Sequence, residues 1–355
     1  MAILDVISKW VELVSLVYLT GTVLLRIWVL QYSRAHLCPE ASWNEAPFAN
    51  MWRPFGPVLG LMAAASAVYL LVHVATIAGT SFFPAVNFLP LVISDTHFGR
   101  VWLIRIALLV FLAVIFLVSG KRRSERRPLL LLMLAALLLV SMTESASGHP
   151  SDKGDLTFRE LNDWFHLLAA EAWGGGLIAL LTLSLSQITG PADTPASDIS
   201  PAMVAGIARG FSVMAGPGVA VMAITAVINY RIYVGGAKAL LGTPYGLVVA
   251  AKIVLFLIIA ATGAFNRYVS VPALKQWAGC PLQKPGIFER MAGRFLPPFF
   301  HGLEGGRMAV LFKKLVRAEV LLALALLFCA AILSHEPAAK HAMHMKQDTG
   351  ARRRA

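Results

Sequence analysis

Residues 101–119 read VWLIRIALLVFLAVIFLVS, and Gly120 then leads straight into Lys121-Arg122-Arg123-Ser124-Glu125-Arg126-Arg127. An apolar run of this length is a membrane-spanning helix, because a bilayer core of ~30 Å takes roughly 20 helical residues. The dense basic flank marks the side that stays in the cytoplasm. Seven further runs of the same kind are found on either side of it, near Val6–Leu30, Gly56–Ile77, Leu129–Ser145, Leu161–Leu185, Val204–Tyr230, Tyr245–Asn266 and Val316–Ser334. With 57% apolar and 14% charged residues in 355, the chain is expected to be an all-α integral membrane protein of about eight transmembrane helices. Asp5, Lys9 and Glu12 occupy the place of a signal peptide's basic leader, so the first run is expected to be retained.

A second basic cluster fixes the same orientation. Arg267, Lys275, Lys284, Arg290, Arg294, Arg307, Lys313, Lys314 and Arg317 flank or separate spans seven and eight. Both termini then lie outside, together with the connections 78–100, 146–160 and 231–244. Arg352, Arg353 and Arg354 argue the other way from the tail, but more weakly than the two clusters. The net charge of +12 is thereby a topology signal, and nucleic acid is not an expected partner. Cys38 and Cys280 fall in inner connections and Cys329 inside the last span, which leaves no outer disulfide and no CxxC pattern.

The chain divides into a first four-helix unit, 1–150, a second, 151–334, and a tail, 335–355. A parallel four-plus-four repeat is suggested by His97-Phe98-Gly99 leading to Arg105 and Pro244-Tyr245-Gly246 leading to Lys252, each cation about 9 Å below the glycine at ~1.5 Å per residue. Gly21 corresponds to Gly174 or Gly175 in the same scheme. An inner-side insertion, 269–314, carries Ile287, Phe288, Met291 and Phe295 at helical spacing, with Arg290 and Arg294 between them, as in a helix lying in the membrane interface.

Charges within spans cost roughly 2.5–3.5 kcal/mol each at the bilayer centre, so they seek partners or water. Glu12, Arg105, Glu171 and Lys252 are expected to pair around one outward-facing cavity. Of nine histidines, all but His36 and His301 lie at or beyond the outer end. His73, His97, His149 and His166 come from four different elements at one depth, where neutral imidazoles suit copper or zinc. Asp95, Asp163 and Glu171 stand near as acceptors for ring N–H groups. The tail residues His335, His341, Met343, His344 and Met345 form an auxiliary metal-binding tract.

Phe98-Gly99-Arg100-Val101-Trp102-Leu103-Ile104-Arg105, Ser147-Gly148-His149, Asp163-Trp164-Phe165-His166 followed by Trp173-Gly174-Gly175-Gly176, Ala208-Arg209-Gly210-Phe211-Ser212, and Tyr245-Gly246 with Lys252 together resemble the CopD copper-resistance family, PcoD included. The resemblance implies copper transport across the bacterial inner membrane, with both termini periplasmic and often a periplasmic CopC-like partner. It carries His149 and His166 over most directly. Two other readings stand beside it: a haem b protein using His73 and His166 as axial ligands, and a receptor that docks a copper chaperone without moving copper. No H-E-x-x-H, P-loop or nucleophile elbow is present, and no enzyme activity is expected.

Overall fold

The computed structural model of the chain describes residues 2–36, 48, 51–120, 126–148, 154, 156–182, 200–280 and 305–340. Among these residues are eight helices long and apolar enough to cross a membrane. In chain order they are α1 (Ile3–Ala35), α2 (Phe55–Ala78), α4 (His97–Ser119), α5 (Arg127–Ala146), α6 (Phe158–Leu181), α7 (Pro201–Val234), α9 (Pro244–Trp277) and α10 (Gly306–Leu333). Two short helices, α3 (Leu89–Asp95) and α8 (Ala237–Gly242), precede α4 and α9. All eight apolar runs are therefore helices, and the protein is an all-α multi-pass membrane protein.

Two boundaries differ from the hydropathy reading. The last helix starts at Gly306, ten residues before Val316, because Arg307, Lys313, Lys314 and Arg317 lower local hydropathy without breaking the helix. The seventh runs on through a π-helical stretch, Asn266–Ser270, to Trp277. Both ends of the 269–314 stretch thus belong to spanning helices, while Ile287, Phe288, Met291 and Phe295 lie outside the described residues. Cys280, placed by the sequence in an inner connection with no outer disulfide, is disulfide-bonded.

Successive helices alternate in direction. The starts of α1, α4, α6 and α9 meet the ends of α2, α5, α7 and α10 at one end of the bundle, here called the histidine end. Contacts there include His97 Nε2 to Ala146 O at 3.1 Å and His335 Nδ1 to Asp5 Oδ2 at 3.1 Å. α1 is the central helix, packed on α2, α5, α6 and α10. A Cβ added to Gly21 would stand 2.1 Å from the carbonyl carbon of Gly175, so α1 and α6 touch backbone to backbone, as small residues permit. Phe55 stacks on Phe116 at 4.9 Å in the main core. Leu103, Val110, Val114 and Leu117 of α4, and Leu247, Val254 and Leu257 of α9, are exposed, an apolar surface suited to lipid.

Two corners are built alike. Thr96 caps α4 by accepting the Gly99 N–H at 2.9 Å, and Thr243 caps α9 by accepting the Gly246 N–H at 3.0 Å. Each threonine hydroxyl also donates back to the preceding short helix, to Val92 O at 2.6 Å and Ala239 O at 2.7 Å. Both glycines are obligatory for space: a Cβ would lie 2.2 Å from those same two carbonyl oxygens. The sequence expectation of matched glycine-plus-cation helices thus has a structural counterpart at these corners.

Candidate functional site: a polar cavity at the histidine end

The first feature below that end is a buried charge network. Lys9 and Glu12 sit three residues apart on one face of α1, the spacing at which helical side chains are neighbours. Arg105 reaches from α4 to Glu12 Oε1 at 2.7 Å and Glu144 Oε1 at 3.1 Å. Its remaining donors go to Thr143 Oγ1 at 3.0 Å, Thr143 O at 2.8 Å and Ser147 Oγ at 2.8 Å. Lys9 Nζ bonds Glu144, approaches Glu12 Oε2 at 3.5 Å, and lies 4.8 Å from the Tyr69 ring centre. Two cations thus balance two carboxylates. Arg105 and Glu12 are fully buried, so attraction in a low dielectric, together with the satisfied donors, offsets a desolvation cost of several kcal/mol per ion.

Above and beside this network opens a cavity of about 1580 Å³. Both halves of the chain border it. Asp5, Lys9, Tyr69, His73, His97 and Glu144 come from the first half, and Asp163, His166, Asn229, Tyr245 and Lys252 from the second, with His335 following α10. His73 packs on Phe98 with ring centres 4.1 Å apart. His97 opens α4 and donates from Nε2 to the Ala146 carbonyl, tying it to the end of α5.

His166 is the histidine whose chemistry the surroundings define. Its Nδ1 lies 2.8 Å from Thr225 Oγ1, and that hydroxyl already donates to Val221 O at 2.8 Å in its own helix. With the hydroxyl proton on that carbonyl, the threonine oxygen accepts from Nδ1–H. This leaves the lone pair on Nε2, the form in which a neutral imidazole binds a soft or borderline metal. The hydrogen bond is the kind of outer support that fixes a ligand's tautomer and ring orientation.

Of the four charges expected to pair, the structure brings Glu12 and Arg105 together and separates the other two from them. Glu171 is bonded to Ser141 and not to Lys252, and it lies below the cavity wall, outside the lining. Lys252 faces the cavity with Asp163 and makes no hydrogen bond or ion pair among the described residues. Lys9 and Glu144, not singled out in the sequence, complete the network. Their signal was the i, i+3 spacing of Lys9 with Glu12, and an acid in Met142-Thr143-Glu144-Ser145 at the end of an apolar run. His73, His97, His166 and His335 all border the cavity, but among the described residues no three His, Cys, Asp or Glu side chains gather into a metal-holding group. His149, His341, Met343, His344 and Met345 lie outside the described residues.

These features define a polytopic membrane protein with a histidine-bordered polar cavity between two sets of helices. The chain belongs to the copper resistance protein D family. The family described as "Copper resistance protein D-like, N-terminal domain" matches residues 1–158, and that described as "Copper resistance protein D" matches residues 205–333. Copper resistance protein D of Pseudomonas syringae pv. tomato is 26% identical over 231 residues, 63% of this chain and 72% of the relative. Copper transport protein CutJ of Bacillus subtilis (strain 168) is 25% identical over 173 residues, 48% of this chain and 30% of that longer protein. No solved structure matches. The family supports copper-related membrane function and lends haem no support.

Proposed function

We propose that the protein carries copper ions inward across a bacterial inner membrane, with the cavity at the histidine end as its outer vestibule. The observation that carries this reading is His166, whose Nδ1 is engaged by Thr225 so that Nε2 is the nitrogen left to ligate, on a ring bordering the cavity. His97 and His73 border the same space and serve as its further imidazoles. His149 and the tail residues His335, His341, Met343, His344 and Met345 serve as outer donors. The basic clusters of the sequence put this end, and both termini, on the periplasmic side, where a CopC-like protein is a fitting copper donor.

The test is copper flux into proteoliposomes containing purified protein of determined orientation. The wild type is expected to accumulate copper, and His166→Ala to lose most of that flux at unchanged abundance, because an imidazole ligand has no substitute on that wall. Copper bound at the cavity without any flux would favour the docking receptor instead.

A further inference from the structure

Glu171 lies outside the cavity and outside the charge network, at the crossing of α1, α5 and α6. It is fully buried, and it opens the π-helical turn Glu171–Gly175 whose Gly175 touches the backbone of Gly21. Ser141 of α5 donates to its Oε1. Its Oε2 is buried and makes no hydrogen bond of full geometry among the described residues. Thr20 of α1 presents its buried hydroxyl to the carboxyl group as a second hydroxyl neighbour. A buried carboxyl group met by two hydroxyls and no cation sits in a neutral setting, in an interior where buried polar groups are almost always satisfied.

The charged side chain whose field reaches Glu171 is Glu144, of the same sign. No Lys, Arg or His from α1, α5 or α7 pairs with it among the described residues. An ionised carboxylate here would carry an uncompensated charge at a cost of several kcal/mol, whereas the neutral acid does not. Hard cations are a poor fit, since they take about six or more oxygens and these three side chains offer only two carboxyl and two hydroxyl oxygens. None of the three is a sulfur or imidazole ligand for copper.

We infer that Glu171 is a proton-binding site coupled to the cavity: it holds a proton when the cavity is empty and releases it when a copper ion occupies the cavity. The Lys9–Glu12–Arg105–Glu144 network is already neutral, and Asp5 and Asp163 on the lining face Lys9 and Lys252, so a cation entering beside Glu144 adds positive charge to a cavity whose charges are already matched. Loss of the Glu171 proton restores the balance. The step breaks one O–H bond, leaves the electron pair on Oε2 and passes the proton to water, with no change of oxidation state. This inference rests on the copper-transport reading and supplies its coupling ion.

The test is infrared difference spectroscopy on the purified full chain at neutral pH, with and without Cu(I) kept reduced by ascorbate, and copper binding measured on the same samples. The empty wild type is expected to show a protonated-carboxyl carbonyl band that disappears on copper addition. Glu171→Gln should lack the band while still binding copper, and Glu171→Asp, which keeps a titrating carboxyl, should show it at a shifted frequency. Copper binding that leaves the Glu171 band unchanged overturns the coupling and spares the transport reading. Absence of any band lost in Glu171→Gln overturns the proton site itself. A band that is present in a wild type that binds no copper rejects the transport reading, and the coupling with it.

Discussion

At Thr96 and at Thr243 the chain makes the same turn from a short helix into a spanning one, with a glycine three residues on and a cation nine residues on, yet the two cations meet different surroundings. Arg105 enters a ring of acceptors supplied by α1 and α5, and every one of its donor nitrogens is engaged. Lys252 stands at the same register of α9 and lines the cavity with Asp163, with no hydrogen bond or ion pair of its own among the described residues. The backbone of each corner is set by local chemistry: a hydroxyl cap and a missing Cβ. What each cation does is set by helices far away in sequence. The residue types fit the two fates, since the rigid guanidinium fork suits a fixed multi-acceptor pocket and the mobile ammonium a wet one.

The strongest way to break this comparison is to exchange the two cations' importance for folding. Arg105→Met leaves Glu12 and Glu144 sharing only Lys9, and is expected to destabilise the protein by about 3–5 kcal/mol, seen as loss of folded yield and of thermal stability. Adding Glu12→Gln should recover part of that loss. If Arg105→Met folds at wild-type yield, the network is not what holds α1, α4 and α5 together.

Next in size are the glycines. Gly99→Ala and Gly246→Ala each drive a methyl into a backbone carbonyl 2.2 Å away, and both should lose at least about 1–3 kcal/mol, the usual cost of overpacking. Equal losses in thermal melting would sharpen the likeness of the corners. A loss at one alone would mean that the other short helix simply shifts aside.

The smallest effect is expected at Lys252. Lys252→Met should change the unfolding free energy by no more than about 0.5 kcal/mol, since no hydrogen bond or ion pair among the described residues is broken. A large destabilisation would reveal an ion pair with Asp163 tight enough to make the two corners alike after all.

The apolar runs and the two basic clusters made the eight helices readable, because hydropathy acts over whole helices and tolerates errors of a few residues. The early start of α10 was not readable, since Lys313 and Lys314 are good helix formers that hydropathy counts only as breaks. The matched corners were visible as Gly99 with Arg105 and Gly246 with Lys252. Glu144 was missed for a different reason: its meaning depends on Lys9 and Arg105, 135 and 39 residues away, and only packing of three helices brings them into reach. The pairing of Glu171 failed in the same manner, because depth alone does not tell which helix faces which. The hydrogen bond that holds the His166 ring needed Thr225, 59 residues on, and nothing in the local sequence pointed to it.

One helix separates the cavity from the membrane along part of its rim. On one side α9 offers Tyr245, Val249, Lys252 and Phe256 to the cavity, while on the other Leu247, Val254, Leu257 and Ile258 face outward. A partition a single helix thick has no second layer to absorb lateral pressure. Acyl-chain length and membrane tension therefore act on the vestibule's width directly, and the lipid composition becomes a determinant of how readily an ion is admitted.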